Sequence, residues 1–366
     1  MTSAKTLQRS KPGQQVGIKD IAANLGVSIG TVDRALHGRP GVNPLTRDRV
    51  LKMAAKLGYR PNVAARFLKL NRTLRVAVLL PAEIATFFQP LREGIRAGAS
   101  VWPDTGLEMH FEDYTRFGSG DVAMLQNSIG KHYDGIVCAP SDAGAATPLI
   151  NQLQHEGTAV VCVATDAVRS ERLASIAIDG YVSGSLAAEL LRYALPPSAT
   201  VGIFTGDLRV FDHSEKLRGY AASLALLAPH LRLLPVVESH DDPAQAYSMA
   251  RKMLAEHRTM QGLYISTANS LPVLRAIREA GRLDSVRIVV TDLFPELVAE
   301  MENGYVMASL YQRPFTQGRI AIQSLLRYLR DNVRPARITK LAPNLVMRAN
   351  LSIFSRYVED PGSIPG

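Results

Sequence analysis

The sequence predicts an α/β protein: a small all-α helix-turn-helix head followed by two doubly wound parallel-sheet lobes. From Ile18 to Leu57, apolar residues recur at helical spacing with tight breaks between segments. From Leu74 onward, short apolar runs alternate with helical stretches, the signature of parallel sheets covered by helices. Length agrees, since 366 residues exceed one ordinary core and suit a small head with a larger two-part body.

In the head, Ile18, Ile21, Ala22 and Leu25 fall at i, i+3, i+4 and i+7 and form one apolar helix face. Gly26-Val27-Ser28 breaks that helix, and Ser28 can cap a second. The second helix buries Val32, Ala35 and Leu36 and turns Ile29, Gly30, Asp33 and Arg34 outward. Asn43-Pro44 starts a third, whose Val50, Met53, Ala54 and Leu57 close the small core, with Gly58 suited to the position past its end. Tyr59-Arg60-Pro61 stops the pattern, and Asn62 can cap one more short helix from Val63 to Leu68. A short second helix with an outward Arg suits a DNA major groove. Charge agrees: residues 1–72 hold fourteen Lys or Arg against three Asp or Glu, while the remainder holds 28 against 30. A basic head neutralises phosphates and releases counterions. Residues 1–15, with Lys5, Arg9 and Lys11 among Ser, Gln, Pro and Gly, read as a flexible tail.

In the body, Arg75 to Leu80 is an apolar run ended by Pro81, as expected of a buried parallel strand. Further strands are expected at Leu107–Phe111, Gly135–Ala139, Ala159–Ala164, Ser175–Ile178, Thr200–Thr205, Leu233–Glu238, Gly262–Ile265, Arg287–Thr291 and Val306–Tyr311. Helices are expected at Pro90–Val101, Ser183–Tyr193, Lys216–Leu227, Ala244–Glu256 and Ser270–Ala280. So many strands divide better into two lobes than into one wide sheet, and a ligand would sit between them at the strands' carboxyl ends.

The run Ile18-Lys19-Asp20-Ile21-Ala22, Gly26-Val27-Ser28, Thr31-Val32, Arg34, Thr46-Arg47, Val50, Leu57-Gly58-Tyr59 and Pro61-Asn62 resembles the LacI family of bacterial transcription regulators. Looser matches in the body are Phe87-Phe88 with Pro90 to Gly94, Asp179 to Gly184, and Lys216-Leu217-Arg218-Gly219-Tyr220. The resemblance implies a helix-turn-helix domain over 16–61, a hinge helix and linker over 62–72, and a two-lobed domain over 73–350. That domain would bind ligand, dimerise and be similar to periplasmic sugar-binding proteins, with a C-terminal tail over 351–366.

It also implies roles for single residues. Ile29, Gly30 and Arg34 fall on positions that face base edges, and Arg34 can grip guanine O6 and N7. Ser28 and Thr31 would hold phosphates, and His37 a phosphate or turn rather than a metal. Asn62, Ala65 and Leu68 share one face of the hinge helix, with Leu68 at the position of a minor-groove wedge. Phe87, Phe88, Asp166, Lys216, Asn269, Asp292 and Gln312 fall on ligand positions, a set suited to a sugar or polyol. The two Phe also fit a core role, and Asp166 and Asp292 also fit helix caps. Where the family often has Asp-Arg and Arg, this chain has Asp166-Ala167 and Lys216, so the forked recognition that Arg supplies is changed.

The expected protein is a homodimer or larger assembly on near-palindromic operator duplex, acting in the cytoplasm at the nucleoid, and a repressor controlled by a small effector. A periplasmic-type solute-binding protein is the alternative; the basic head and the missing secretory signal argue against it. An enzyme is not expected, since no GxGxxG after a first strand, phosphate loop or nucleophile elbow appears. No catalytic residue, cofactor or metal is assigned, and no run of about 18 apolar residues suggests a membrane span. Cys138 and Cys162 fall inside apolar strands and read as core residues.

Overall fold

A computed structural model describes residues 17–36, 40–57, 73–102 and 106–359. The chain divides into two compact units, Met1–Arg72 and Thr73–Gly366. In the first, the helices Ile18–Leu25, Ile29–Leu36 and Pro44–Lys56 close on a core of Ile21, Ala22, Val32, Ala35, Val50 and Ala54. Each break has its expected chemistry. Gly26 takes φ 64, which favours glycine, and Val27 N donates to Ala22 O. Ser28 Oγ accepts from Thr31 N at 3.0 Å, and Asn43 Oδ1 accepts from Leu45 N at 2.9 Å.

The second unit holds thirteen described strands: β1 Leu74–Pro81, β2 Leu107–Tyr114, β3 Gly135–Cys138, β4 Ala159–Val163, β5 Ala174–Ile178, β6 Thr200–Thr205, β7 Arg232–Leu233, β8 Val237–Glu238, β9 Met260–Ile265, β10 Arg287–Thr291, β11 Ala308–Tyr311, β12 Ile338–Leu341 and β13 Asn344–Val346. They form two sheets. The first runs β12-β5-β4-β3-β1-β2, all parallel; the second runs β13-β11-β10-β9-β6-β7, with β8 also on β6 and only β13 antiparallel. The chain passes between the lobes three times: after β5 into the helix Gly180–Ala194, after β11 into the helix Pro314–Asp331, and from β12 to β13. Among the described residues, no helix is long and apolar enough to cross a membrane.

Three expectations about elements are corrected. The strand expected over Leu233–Glu238 is two short pieces, because Pro235 lacks the N–H that a continuous ladder needs. The helix expected from Pro90 begins at Ala85, and its first turn carries Phe87 and Phe88 into burial. Residues beyond 350, expected as a tail, form a helix Leu351–Glu359, with Leu351 and Phe354 in the second lobe's core.

Glycines set the closest helix contacts. A Cβ on Gly184 would lie 2.0 Å from Lys216 O, and one on Gly219 would lie 2.0 Å from Tyr181 O. The helices Gly180–Ala194 and Phe211–Leu227 therefore touch backbone to backbone, and Lys216 is carried on that contact. Gly94 and Gly318 do the same for the helices Ala85–Ser100 and Pro314–Asp331.

Candidate functional site

The carboxyl ends of the strands converge where the lobes face each other, and the backbone is strained there. Ile84, Ala164, Asp241, Asp292 and Arg313 all have φ between 53 and 70 without being glycine. Each follows a strand, and each costs about 1–2 kcal/mol relative to a relaxed residue. Such strain aims side chains that a relaxed loop would turn elsewhere.

Between the lobes lies a partly open cavity. Phe87, Phe88 and Phe117 form one wall; Phe88 packs edge-on against Phe87 at 5.0 Å and against Phe117 at 5.5 Å. The opposite lobe supplies Asp212, His213, Lys216, Asp241 and Thr267, and Gln312 comes from the second crossing. Lys216 is 1% exposed; its Nζ is ion-paired with Asp212 Oδ2 at 2.6 Å and donates to Gln312 Oε1 at 2.9 Å and Ser266 O at 3.3 Å. Gln312 Nε2 in turn donates to Asp292 Oδ2 at 2.6 Å. Burial pushes the Asp292 carboxyl up to about 6, although nearby Lys216 and the Gln312 hydrogen bonds oppose the rise.

Beside these, Asp241 is fully buried, and its Oδ1 accepts from Thr267 Oγ1 at 2.8 Å. Its Oδ2 is buried without a hydrogen-bond partner. His213 Nδ1 lies 3.8 Å from that oxygen, 3.1 Å from Asp207 N and 3.2 Å from Asp207 O. The Asp207 N–H can only donate, so Nδ1 accepts it and the ring carries its proton on Nε2. Gly206 permits this crowding: a Cβ there would lie 2.3 Å from Asp241 Oδ1 and 2.4 Å from His213 Cε1.

A second space shares Asp212 with the first and holds Asp166. Asp166 is gripped by Arg172, Nη2 to Oδ2 at 2.5 Å with an ion pair from Nε to Oδ1. Burial raises the Asp166 carboxyl, and the Arg172 guanidinium opposes it. At the rim, burial alone would raise Asp207, but the fork and backbone N–H of Arg209 hold it at about 2. Asp207, Glu238 and His240 are the described group able to converge on a metal, their ligand atoms lying within 4.8 Å of one another. Arg209 already fills the cation position against Asp207.

Of the residues expected at the ligand, Phe87, Phe88, Lys216 and Gln312 line the main cavity, and Asp166 lines its neighbour. Asp292 stands behind Gln312 and, like Asp166, caps no helix. Asn269 lies outside both linings, and its Nδ2 is buried without a partner. Phe117, Asp212, His213, Asp241 and Thr267 escaped the sequence reading. Asp212 alone had a usable signal, its i, i+4 spacing to Lys216 on one helix face.

In the head, Ser28, Ile29, Gly30 and Arg34 are exposed, and Thr31 is half-buried. Ser28 Oγ and Thr31 Oγ1 bond to each other at 2.8 Å. The Arg34 guanidinium lies over Gly30, where an added Cβ would be 3.7 Å from Nη1. His37, Asn62, Ala65 and Leu68 lie outside the described residues.

Comparison with known proteins gives two family matches: residues 17–62 to bacterial regulatory proteins of the lacI family, and residues 76–332 to a periplasmic binding protein domain. The chain is 23% identical over 335 residues to catabolite control protein A of Priestia megaterium, covering 91% of this chain and 98% of that protein. It is 26% identical over 291 residues to the ribose operon repressor of Bacillus subtilis, covering 76% of this chain and 82% of that protein. Among solved structures, a glucose-galactose binding protein from Geobacillus stearothermophilus aligns with TM-score 0.70 at 22% identity, over 76% of this chain and 99% of that one. A putative LacI transcriptional regulator from Bacteroides fragilis aligns with TM-score 0.69 at 18% identity, over 77% of this chain and 99% of that one.

Proposed function

Because the chain belongs to the lacI family of bacterial regulatory proteins, with a periplasmic binding protein domain as its body, we propose that it is a DNA-binding, sugar-responsive repressor. The observation that carries this reading is the pairing, in one chain, of a recognition helix exposing Ile29, Gly30 and Arg34 with a buried polar cavity between two lobes. A solute carrier has no use for such a head. The protein works in the cytoplasm at the nucleoid and does no catalysis.

Arg34 reads a guanine, Ser28 and Thr31 set the helix on phosphates, and His37 adds a phosphate or turn contact. Asn62, Ala65 and Leu68 form the hinge face, with Leu68 entering the minor groove. Two copies bind a near-palindromic site, since one small head buries too little surface to select a genomic target. The effector, a monosaccharide or polyol, stacks on Phe87 or Phe88 and bonds to Lys216 and Gln312. Asp292 fixes Gln312, and Asp166 and Asn269 complete the polar surround. Its binding changes the lobes' relation and, through the hinge, operator affinity.

The test begins with selection of bound sequences from a random duplex pool by the full protein. Affinity for the winning duplex is then measured with and without a panel of monosaccharides and polyols. A two-fold symmetric winner whose affinity changes with one or more sugars is expected. No selected sequence, or a selected sequence indifferent to the whole panel, would overturn the reading.

A further inference from the structure

We propose that the effector carries a positively charged nitrogen, as an amino sugar or aminated polyol does, and that Asp241 is the residue that receives it. This rests on the reading that a sugar-like effector enters the cavity between the lobes.

The argument is one of charge and donors. Two carboxylates, Asp212 and Asp241, line the cavity against a single ammonium, Lys216. That ammonium is ion-paired with Asp212 and donates to Gln312 and the Ser266 carbonyl. Asp212 is thereby neutralised and Asp241 is not. Its Oδ2 is buried, has no hydrogen-bond partner and belongs to a side chain facing the cavity. The nearest basic atom, His213 Nδ1, is 3.8 Å away, beyond hydrogen-bond reach, and is engaged by the Asp207 N–H.

Several other cations around the cleft are committed too. Arg172 holds Asp166, Arg209 holds Asp207, and Lys340 holds Asp179. Arg116 spans Glu83 and Asp242 at 3.6 and 3.2 Å.

A neutral hydroxyl donating to Asp241 Oδ2 would satisfy its hydrogen bond yet leave its charge sealed away from water. An ammonium would satisfy both, through a charge-assisted bond. The wall opposite, formed by Phe87, Phe88 and Phe117, offers no competing donor.

The experiment is calorimetric titration of the full protein near neutral pH with matched triplets. Each triplet is a 2-amino-2-deoxyhexose, its parent hexose and its N-acetyl derivative, in the gluco, galacto and manno series. At least one amino sugar should bind about tenfold or more tightly than both of its partners, the step from a neutral to a charge-assisted hydrogen bond. The near-isosteric Asp241→Asn protein, checked for its melting temperature, should lose that preference and bind the amine no more tightly than the parent hexose.

A parent hexose that binds as well as or better than its amine would overturn the assignment and leave the sugar-effector reading intact. A retained amine preference in Asp241→Asn would overturn the role of Asp241. Failure of every triplet to bind would overturn both the inference and the reading beneath it. The triplets test the wild-type protein directly, so a variant that fails to fold does not remove the test.

Discussion

Asp292 makes the stability of this protein depend on mildly acidic pH in a calculable way. Its carboxyl is raised from 3.8 to about 6 in the folded protein, chiefly by burial. The folded state therefore holds the proton more tightly than the unfolded chain does. The stabilisation from that proton is complete below the unfolded value and is lost as pH rises through the folded one. A rise of about two units, at roughly 1.36 kcal/mol per unit, amounts to about 3 kcal/mol lost between about pH 4 and about pH 7. Asp292→Asn removes this equilibrium, whatever fixed cost or gain the amide brings. The stability of the Asn variant relative to the parent should accordingly climb by about 3 kcal/mol across that interval and level off above it. Urea unfolding at half-unit pH steps reads the difference, and thermal melts should show it as a relative shift of about 6–12 °C. Parallel stability curves for the two proteins would refute the reasoning. They would mean that water or a rearranged Lys216 compensates Asp292 as fully as bulk solvent does.

Other perturbations follow from the same geometry. Gly184→Ala places a Cβ 2.0 Å from Lys216 O and 2.6 Å from Tyr220 N, both backbone atoms, so the helices must part. We expect about 1–3 kcal/mol of destabilisation and loss of the effector response, and an unchanged melting temperature would contradict the close contact. Arg172→Ala leaves Asp166 buried without its guanidinium and should cost about 3–5 kcal/mol, read from denaturant midpoints; a cost under about 1 kcal/mol would show the pair to be solvated. Arg34→Ala should remove about 1–3 kcal/mol of discrimination at one operator base pair, whereas a uniform loss across all sequences in a binding panel would reassign it to phosphate contact.

Most of the architecture was legible because its signals are local. β1, β6 and β10 are apolar runs with sharp ends, and the head's three helices each carry a cap and a periodic face. The helix Pro314–Asp331 was not foreseen. Its first turns bury Thr316, Gln317 and Gly318 beside Phe315, but Ala321, Ile322, Leu325 and Leu326 follow at helical spacing and were a readable signal. β12 is quiet, since Ile338 and Lys340 are exposed and only alternate residues are partly covered. In the cavity, Lys216 and Gln312 were found by resemblance, but Asp241 could not be. It lies on a loop after a two-residue strand, in a left-handed backbone conformation, and its partners Thr267 and His213 come from another loop and from the helix Phe211–Leu227. Only the fold brings them together.

The three crossings between the lobes impose an order on how this protein can be made. Synthesis proceeds from the N-terminus, so the head is complete long before either lobe can be. The first lobe's sheet is begun by β1 at Leu74 but gains its outer strand β12 only at Leu341, after nearly all of the second lobe has been built. Until then β5 is an open edge of a parallel sheet, and the face later covered by Pro314–Asp331 is bare. A nascent chain therefore carries an unfinished, sticky half-domain beside a finished nucleic-acid-binding one for most of its elongation. A chain truncated between β11 and β12 would carry the head on a first lobe whose sheet lacks its outer strand.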